Sequence, residues 1–292
     1  MTFDGQRFFE KHHDSTGVTP GSDAQVESDA EAMHNATIIV NADDWGRDVE
    51  TTDRELECVL HEVVSSVSAM MFMEDSERAA LLALQHGIDA GLHLNFTMPF
   101  SAPQCSSRLL EHQQAISQFL KFHRLAPVLY NPRLAASFEY VVRAQLEEFE
   151  RLYGAPPARL DGHHHMHLCS NVLFQNLLPK CTTVRRNFSF APGDKSYMNR
   201  LYRRWQDRWL SRRHRTTDFF FCLRPYDPPG RLQKIFELAL YSNVEVETHP
   251  INRGEYEFLH SEAFKRCAGQ VAIAQGYTMR FGGPQSEKGS LA

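Results

Sequence analysis

From Thr37 onward, short apolar runs alternate with longer segments in which apolar residues recur at helical spacing. The short runs predict strands at 37–41, 67–73, 88–94, 159–161, 182–185, 218–222, 244–248 and 277–281. The clearest helix lies at 132–153: Pro132 suits a first helical turn, and the Gly-Ala-Pro-Pro run from Gly154 ends it. Strands alternating with helices imply a parallel sheet. About eight such units imply an α/β fold, a TIM-like (β/α) barrel or a distorted relative of one. The pattern fills 37–285 as a single domain. The segment 1–36 is rich in Asp, Glu, Ser, Gly, Gln and His and poor in aliphatics, so it reads as a mobile tail, as does 286–292.

Composition narrows the function classes. At 292 residues, 42% hydrophobic and 23% charged, the chain has the balance of a soluble globular protein. A formal charge of −5 argues against a general nucleic-acid binder. No run approaches the ~20 apolar residues of a membrane span, and no apolar leader is visible, so a cytoplasmic protein is expected. Cysteines 58, 105, 169, 181, 222 and 267 form no CxxC pair, which predicts reduced thiols and not a disulfide framework or a Cys-based zinc site. The basic stretch 195–215 places Leu201, Trp205, Trp209 and Leu210 at helical spacing. It predicts an amphipathic helix with a solvated basic face, the alternative being a lid or a site for an anionic partner.

Four strand ends carry candidate chemistry. Asn41-Ala-Asp43-Asp44-Trp45-Gly46 sets two carboxylates at the end of a buried strand, where they repel unless a cation relieves them; a helix N-cap is the competing explanation. His93, in Gly91-Leu-His-Leu-Asn95, is by itself more often a satisfied core histidine than a ligand. Asp161-Gly-His163-His164-His165-Met-His167 packs four histidines into five positions beside an aspartate. Neutral imidazole is the commonest side-chain metal ligand and a carboxylate can orient it, although an exposed His-rich loop would give the same string. Spacing leaves open whether His163 acts with His165, as on a strand, or with His167, as across a helical turn. Finally, Glu247-Thr-His249-Pro250 delivers a histidine at a strand end, a position suited to a general acid or base or to a turn histidine. One Asp with two His is an open three-ligand divalent site, with a carboxylate and a histidine left for proton transfer.

The order of NADDWG at 41–46, GLHLNFT at 91–97, LDGHHHMHL at 160–168 and ETHP at 247–250 resembles the YdjC-like carbohydrate deacetylases. This family includes chitooligosaccharide and hopanoid-linked sugar deacetylases, and the likeness covers roughly 37–283. The resemblance implies a distorted (β/α) barrel and one divalent ion held by Asp44, His93 and His163. It further implies Asp43 as the base that activates the attacking water and His249 as the acid that protonates the departing amine. Magnesium is often assigned in the family, whereas two imidazole ligands favour zinc or another transition metal. Arg185 is a weaker echo of the pattern. Trp45, where the family more often has Phe, could stack on a sugar ring, as could Phe96 and Phe100; each could equally be core, the reading favoured for Phe96. His165 and His167 are further candidates for substrate contact.

The expected activity is removal of the N-acetyl group from a small or oligomeric N-acetylated sugar. A metal-dependent phosphoesterase or non-sugar amidohydrolase, with Arg185 and Arg186 clamping an anionic group, is the second reading. A non-catalytic metal-binding regulatory protein is the third. The sequence leaves a homodimer open.

Overall fold

The computed structural model describes residues 37–269, 271–277 and 279, apart from 181, 191–194 and 227–228. The expected tails at 1–36 and 286–292 lie outside the described residues. Seven parallel strands form one curled sheet: β1 (Thr37–Trp45), β2 (Ser66–Ala69), β3 (Ala90–Leu94), β4 (Arg159–Gly162), β5 (Thr183–Val184), β6 (Phe219–Cys222) and β7 (Val244–Thr248). Their order is β5-β4-β3-β2-β1-β7-β6, and a short β8 (Ala272–Ile273) pairs with the start of β1. The ends of the path, β5 and β6, are not joined by a ladder. An isolated bridge between Thr183 and Arg215 and the bond from Ser189 N–H to Phe220 C=O fill the gap. The result is the distorted (β/α) barrel that the alternation predicted.

Helices follow the strands: α1 (Val49–Leu60), α2 (Ser76–His86), α3 (Ser107–Phe122), α4 (Ala135–Tyr153), α5 (Ser170–Phe174), α6 (Tyr197–Leu210), α7 (Pro229–Leu238), α8 (Arg253–Leu259) and α9 (Glu262–Ala268). Packing between helices and sheet explains why β1 reads as an apolar run: every residue from Ile38 to Trp45 is buried. The 132–153 helix forms as expected, with a 3-10 turn at Pro132–Leu134 leading into α4 and Gly154 capping it at φ 75°. The last strand differs from expectation. Ala272–Ile273 takes the edge beside Thr37 and Ile38, and most of 277–281 lies outside the described residues.

In α6, Leu210 is fully buried and Trp209 packs on the core, whereas Leu201 and Trp205 stay 48% and 41% exposed. The helix is therefore held less by the expected apolar stripe than by Leu210 and by Gln206, whose amide donates to the Leu168 carbonyl. Five cysteines, 58, 105, 169, 222 and 267, are free among the described residues. Among these residues no helix is long and apolar enough to cross a membrane.

Candidate active site

The carboxyl ends of β1, β3 and β4 bring three distant stretches together. Asn41, Ala42 and Asp43 pair in register with Ser66, Val67 and Ser68, but Asp44 is skipped and Trp45 pairs with Ala69. Asp44 is thus a bulge residue, at φ 82°, a left-handed conformation that is costly for a side chain and re-aims its carboxylate. Gly46 continues the turn at φ +85°, where a Cβ would meet Ala79 and Ser76 at 3.2 Å.

Asp44 Oδ1 lies 2.9 Å from His163 Nδ1 and 3.5 Å from His93 Nε2, while Arg47 holds its Oδ2 at 2.9 Å. All three residues are buried. His93 Nδ1 donates to Asp161 Oδ1 at 2.7 Å, so in the neutral ring Nε2 presents a lone pair toward Asp44. Asp161 pairs with His93 in the β3–β4 register. The carboxylate beside the histidine string therefore orients the histidine of the neighbouring strand, and none of its own cluster.

This donor set fits a divalent cation. A carboxylate oxygen facing two imidazole nitrogens is repulsive unless a proton or a metal lies between them. Burial opposes ionisation of Asp44, but the hydrogen bonds with His163 and His93 hold its carboxyl well below the usual range. Burial likewise opposes the charging of His93, yet Asp43 and Asp161 push its pKa up to about 10. The same demand for positive charge shows on α1. There Glu55 is fully buried with both carboxylate oxygens unpartnered, and burial followed by the Asp44 and Asp43 charges drives its pKa well up.

Asp43, beside the trio, is saturated with donors. Arg185 Nη1 and Nη2 reach its two oxygens at 2.6 and 2.7 Å, and Asn41 Nδ2 donates at 2.8 Å. Burial raises the Asp43 pKa, but the Arg185 charge outweighs it with help from His93, so the carboxylate stays ionised. His249 follows Thr248, which pairs with Ala42, so it stands at the same strand end as Asp43. It is half-buried, and its backbone N–H donates to Glu255 Oε2 at 2.7 Å.

Several candidates occupy other roles. Arg185, expected as a substrate contact, is 1% exposed and binds Asp43, Asp161 Oδ2 at 3.0 Å and Glu245 Oε1 at 2.7 Å, so its guanidinium is taken up by carboxylates. Arg186 is engaged by Asp207 and by the carbonyls of Thr217 and Asp218, which removes the clamp for an anionic substrate. Trp45 is fully buried with Nε1 donating to the Ala79 carbonyl, so it is core and offers no face to a sugar; Phe96 is fully buried as well, and Phe100 nearly so. His167, also expected as a substrate contact, is fully buried and donates from Nε2 to the Arg185 carbonyl at 3.0 Å.

Neither spacing rule for the histidine string holds, because His164 and His165 adopt φ of 54° and 57° and follow neither strand nor helix periodicity. His163 alone joins the trio. His165 is 30% exposed, 3.6 Å from Glu247 Oε2 and edge-on to Phe188 and Phe220. The acidic partners Glu245, Glu247 and Glu55 were not read from the sequence, whereas Asp161 was read as orienting a histidine of its own string. For Glu245 and Glu247 a signal existed, since two glutamates at alternate positions of a buried strand must share one face.

The family model of YdjC-like protein matches residues 37–268. The chain belongs to the YdjC-like family. The chitooligosaccharide deacetylase of Proteus mirabilis is 31% identical over 137 residues, covering 46% of this chain and 51% of that protein. The chitooligosaccharide deacetylase of Yersinia enterocolitica is 30% identical over 138 residues, covering 46% and 52%. The matched region thus spans about half the length of these curated relatives. A crystal structure of a candidate cellobiose-phosphate cleavage protein from Enterococcus faecalis V583 superposes with a TM-score of 0.59 at 18% identity. It covers 83% of this chain and 98% of that one, a likeness of fold.

Proposed function

We propose that this YdjC-like protein is a metal-dependent hydrolase that removes the N-acetyl group from an N-acetylated sugar, of chitooligosaccharide or glycoconjugate type, and releases acetate. The observation that carries the reading is the convergence of Asp44, His93 and His163 on one point, with Asp43 beside it. The named relatives point to the sugar. One carboxylate with two imidazoles suits zinc or another borderline transition ion better than magnesium, which prefers oxygen ligands. Asp44, His93 and His163 would hold such an ion, which would lower the pKa of a bound water toward ~7 and polarise a carbonyl.

Asp43 serves as the base. Its pKa, held below the ordinary carboxylate range by Arg185 and His93 against burial, keeps it in the ionised form that a base requires. Arg185 and Asn41 fix its orientation, which confines the proton transfer to one direction. His249, held through its backbone by Glu255, donates the proton that lets the amine leave. His165, partly exposed with its ring against Phe188 and Phe220 and beside Glu247, is assigned to substrate contact.

Burial of Arg185 among carboxylates and engagement of Arg186 by Asp207 favour a neutral acetamide over the phosphoester reading. The test is acetate release against phosphate release over N-acetylglucosamine oligomers and model phosphoesters. Acetate release from the oligomers is expected; phosphate release without acetate release would reverse the assignment.

A further inference from the structure

On the outer side of the barrel the C-terminal ends of α1 and α8 meet. Glu57 and His61, four residues apart on one face of α1, lie beside His260, which caps α8. One donor atom from each residue lies within 4.8 Å of the other two, and the residues are exposed or half-buried.

The geometry points to a second divalent metal site here, for zinc or a similar transition ion, formed by Glu57, His61 and His260. Two observations carry it. His260 Nδ1 lies 2.9 Å from the Tyr256 carbonyl, which can only accept, so Nδ1 bears the proton and Nε2 presents a lone pair. That is the arrangement by which a backbone carbonyl orients a ligating imidazole. His260 Nε2 in turn lies 3.2 Å from His61 Nδ1. Two nitrogens bound at about 2.0–2.1 Å to a tetrahedral ion lie about 3.3–3.4 Å apart, so the pair is already at ligand separation. Glu57 supplies the third donor, and its carboxylate is fixed by the Tyr256 hydroxyl. The neighbouring cation, Arg54, is drawn off by Glu50 and the Ile251 carbonyl. Water would complete the coordination. An ion here would tie α8, whose Glu255 holds the His249 backbone, to α1.

Zinc alone is titrated into metal-stripped, full-length protein against a chromophoric chelator, and the folding of each variant is checked by its thermal unfolding. The wild type is expected to hold one ion more than His61→Ala or His260→Ala. Asp44→Asn should keep an ion that Asp44→Asn combined with His260→Ala loses. Tyr256→Phe should weaken this ion about tenfold or more. Unchanged zinc stoichiometry and affinity in folded His61→Ala and His260→Ala would overturn the site. A loss of zinc seen only on altering Asp44 would overturn it too while leaving the inner centre standing.

Discussion

Arg185→Met is the substitution whose consequence the structure specifies most fully. The guanidinium is 1% exposed and lies between Asp43, Asp161 and Glu245, with Glu247 Oε2 at 3.5 Å. At an effective dielectric of about 20, one charge pair at the 2.7 Å of the Arg185–Asp43 contact attracts by about 6 kcal/mol. Desolvation consumes much of this in the intact protein, but methionine leaves the carboxylates buried with the cation gone. Breaking a buried pair in this way costs about 3–5 kcal/mol, which at about 2–4 °C per kcal/mol lowers the unfolding midpoint by about 6–20 °C. In the variant the folded-state carboxylates have pKa values above their unfolded ones. The folded state then binds the extra protons, so the deficit shrinks as pH falls and grows as it rises. Arg185→Lys keeps the charge, loses the two-pronged contact and should fall between. Denaturant unfolding at about pH 5 and about pH 8, followed by tryptophan fluorescence, measures all three proteins. An Arg185→Met protein within about 1 kcal/mol of wild type at both pH values would refute the claim that one guanidinium neutralises this cluster.

Asp43→Asn should bind metal nearly as the wild type and lose turnover by about 100-fold or more, read as acetate release per bound ion; unchanged turnover removes Asp43 from the chemistry. His167 is held neutral, its pKa depressed to about 4 chiefly by burial, against an ordinary 6.5. Its contribution is therefore complete above about pH 6.5 and is lost as pH falls toward about 4, by up to about 3 kcal/mol. Denaturation midpoints of wild type and His167→Gln across that window should converge on acidification, and parallel curves would count against a buried neutral ring. Gly46→Ala places a Cβ 3.2 Å from Ala79 and Ser76 at φ +85°, and should lower stability by about 1–3 kcal/mol in thermal unfolding.

How legible the molecule was in its sequence depends on whether a feature is periodic or three-dimensional. Strand β7 was readable to the residue, because Val244–Thr248 alternates and Pro250 stops it. Helix α4 was equally plain from Pro132 and Gly154. Strand β5 shrank to Thr183–Val184 at the end of the path, where β4 pairs with one side and only the isolated bridge to Arg215 with the other. In the site, Asp43, Asp44, His93 and His163 were legible as a motif order, and the fold brings them together. What each does electrostatically was not. Arg185 looked like a substrate contact because an arginine after a strand carries no mark of the three carboxylates beneath it. His167 looked available because nothing in the string reveals two consecutive left-handed residues at His164 and His165. For Trp45 the sequence left sugar stacking and core packing equally open, and the bulge at Asp44 turns it into the core.

The central claim is that Asp44, His93 and His163 hold an ion on which amide hydrolysis depends. Acetate release from an N-acetylglucosamine oligomer, by protein stripped with a chelator and then supplied with zinc or magnesium, tests it most directly. The account predicts loss on stripping and recovery on resupply in the wild type and in His260→Ala, with no recovery in folded His163→Ala. Full acetate release from stripped protein, or recovery in His163→Ala equal to that of the wild type, would contradict it.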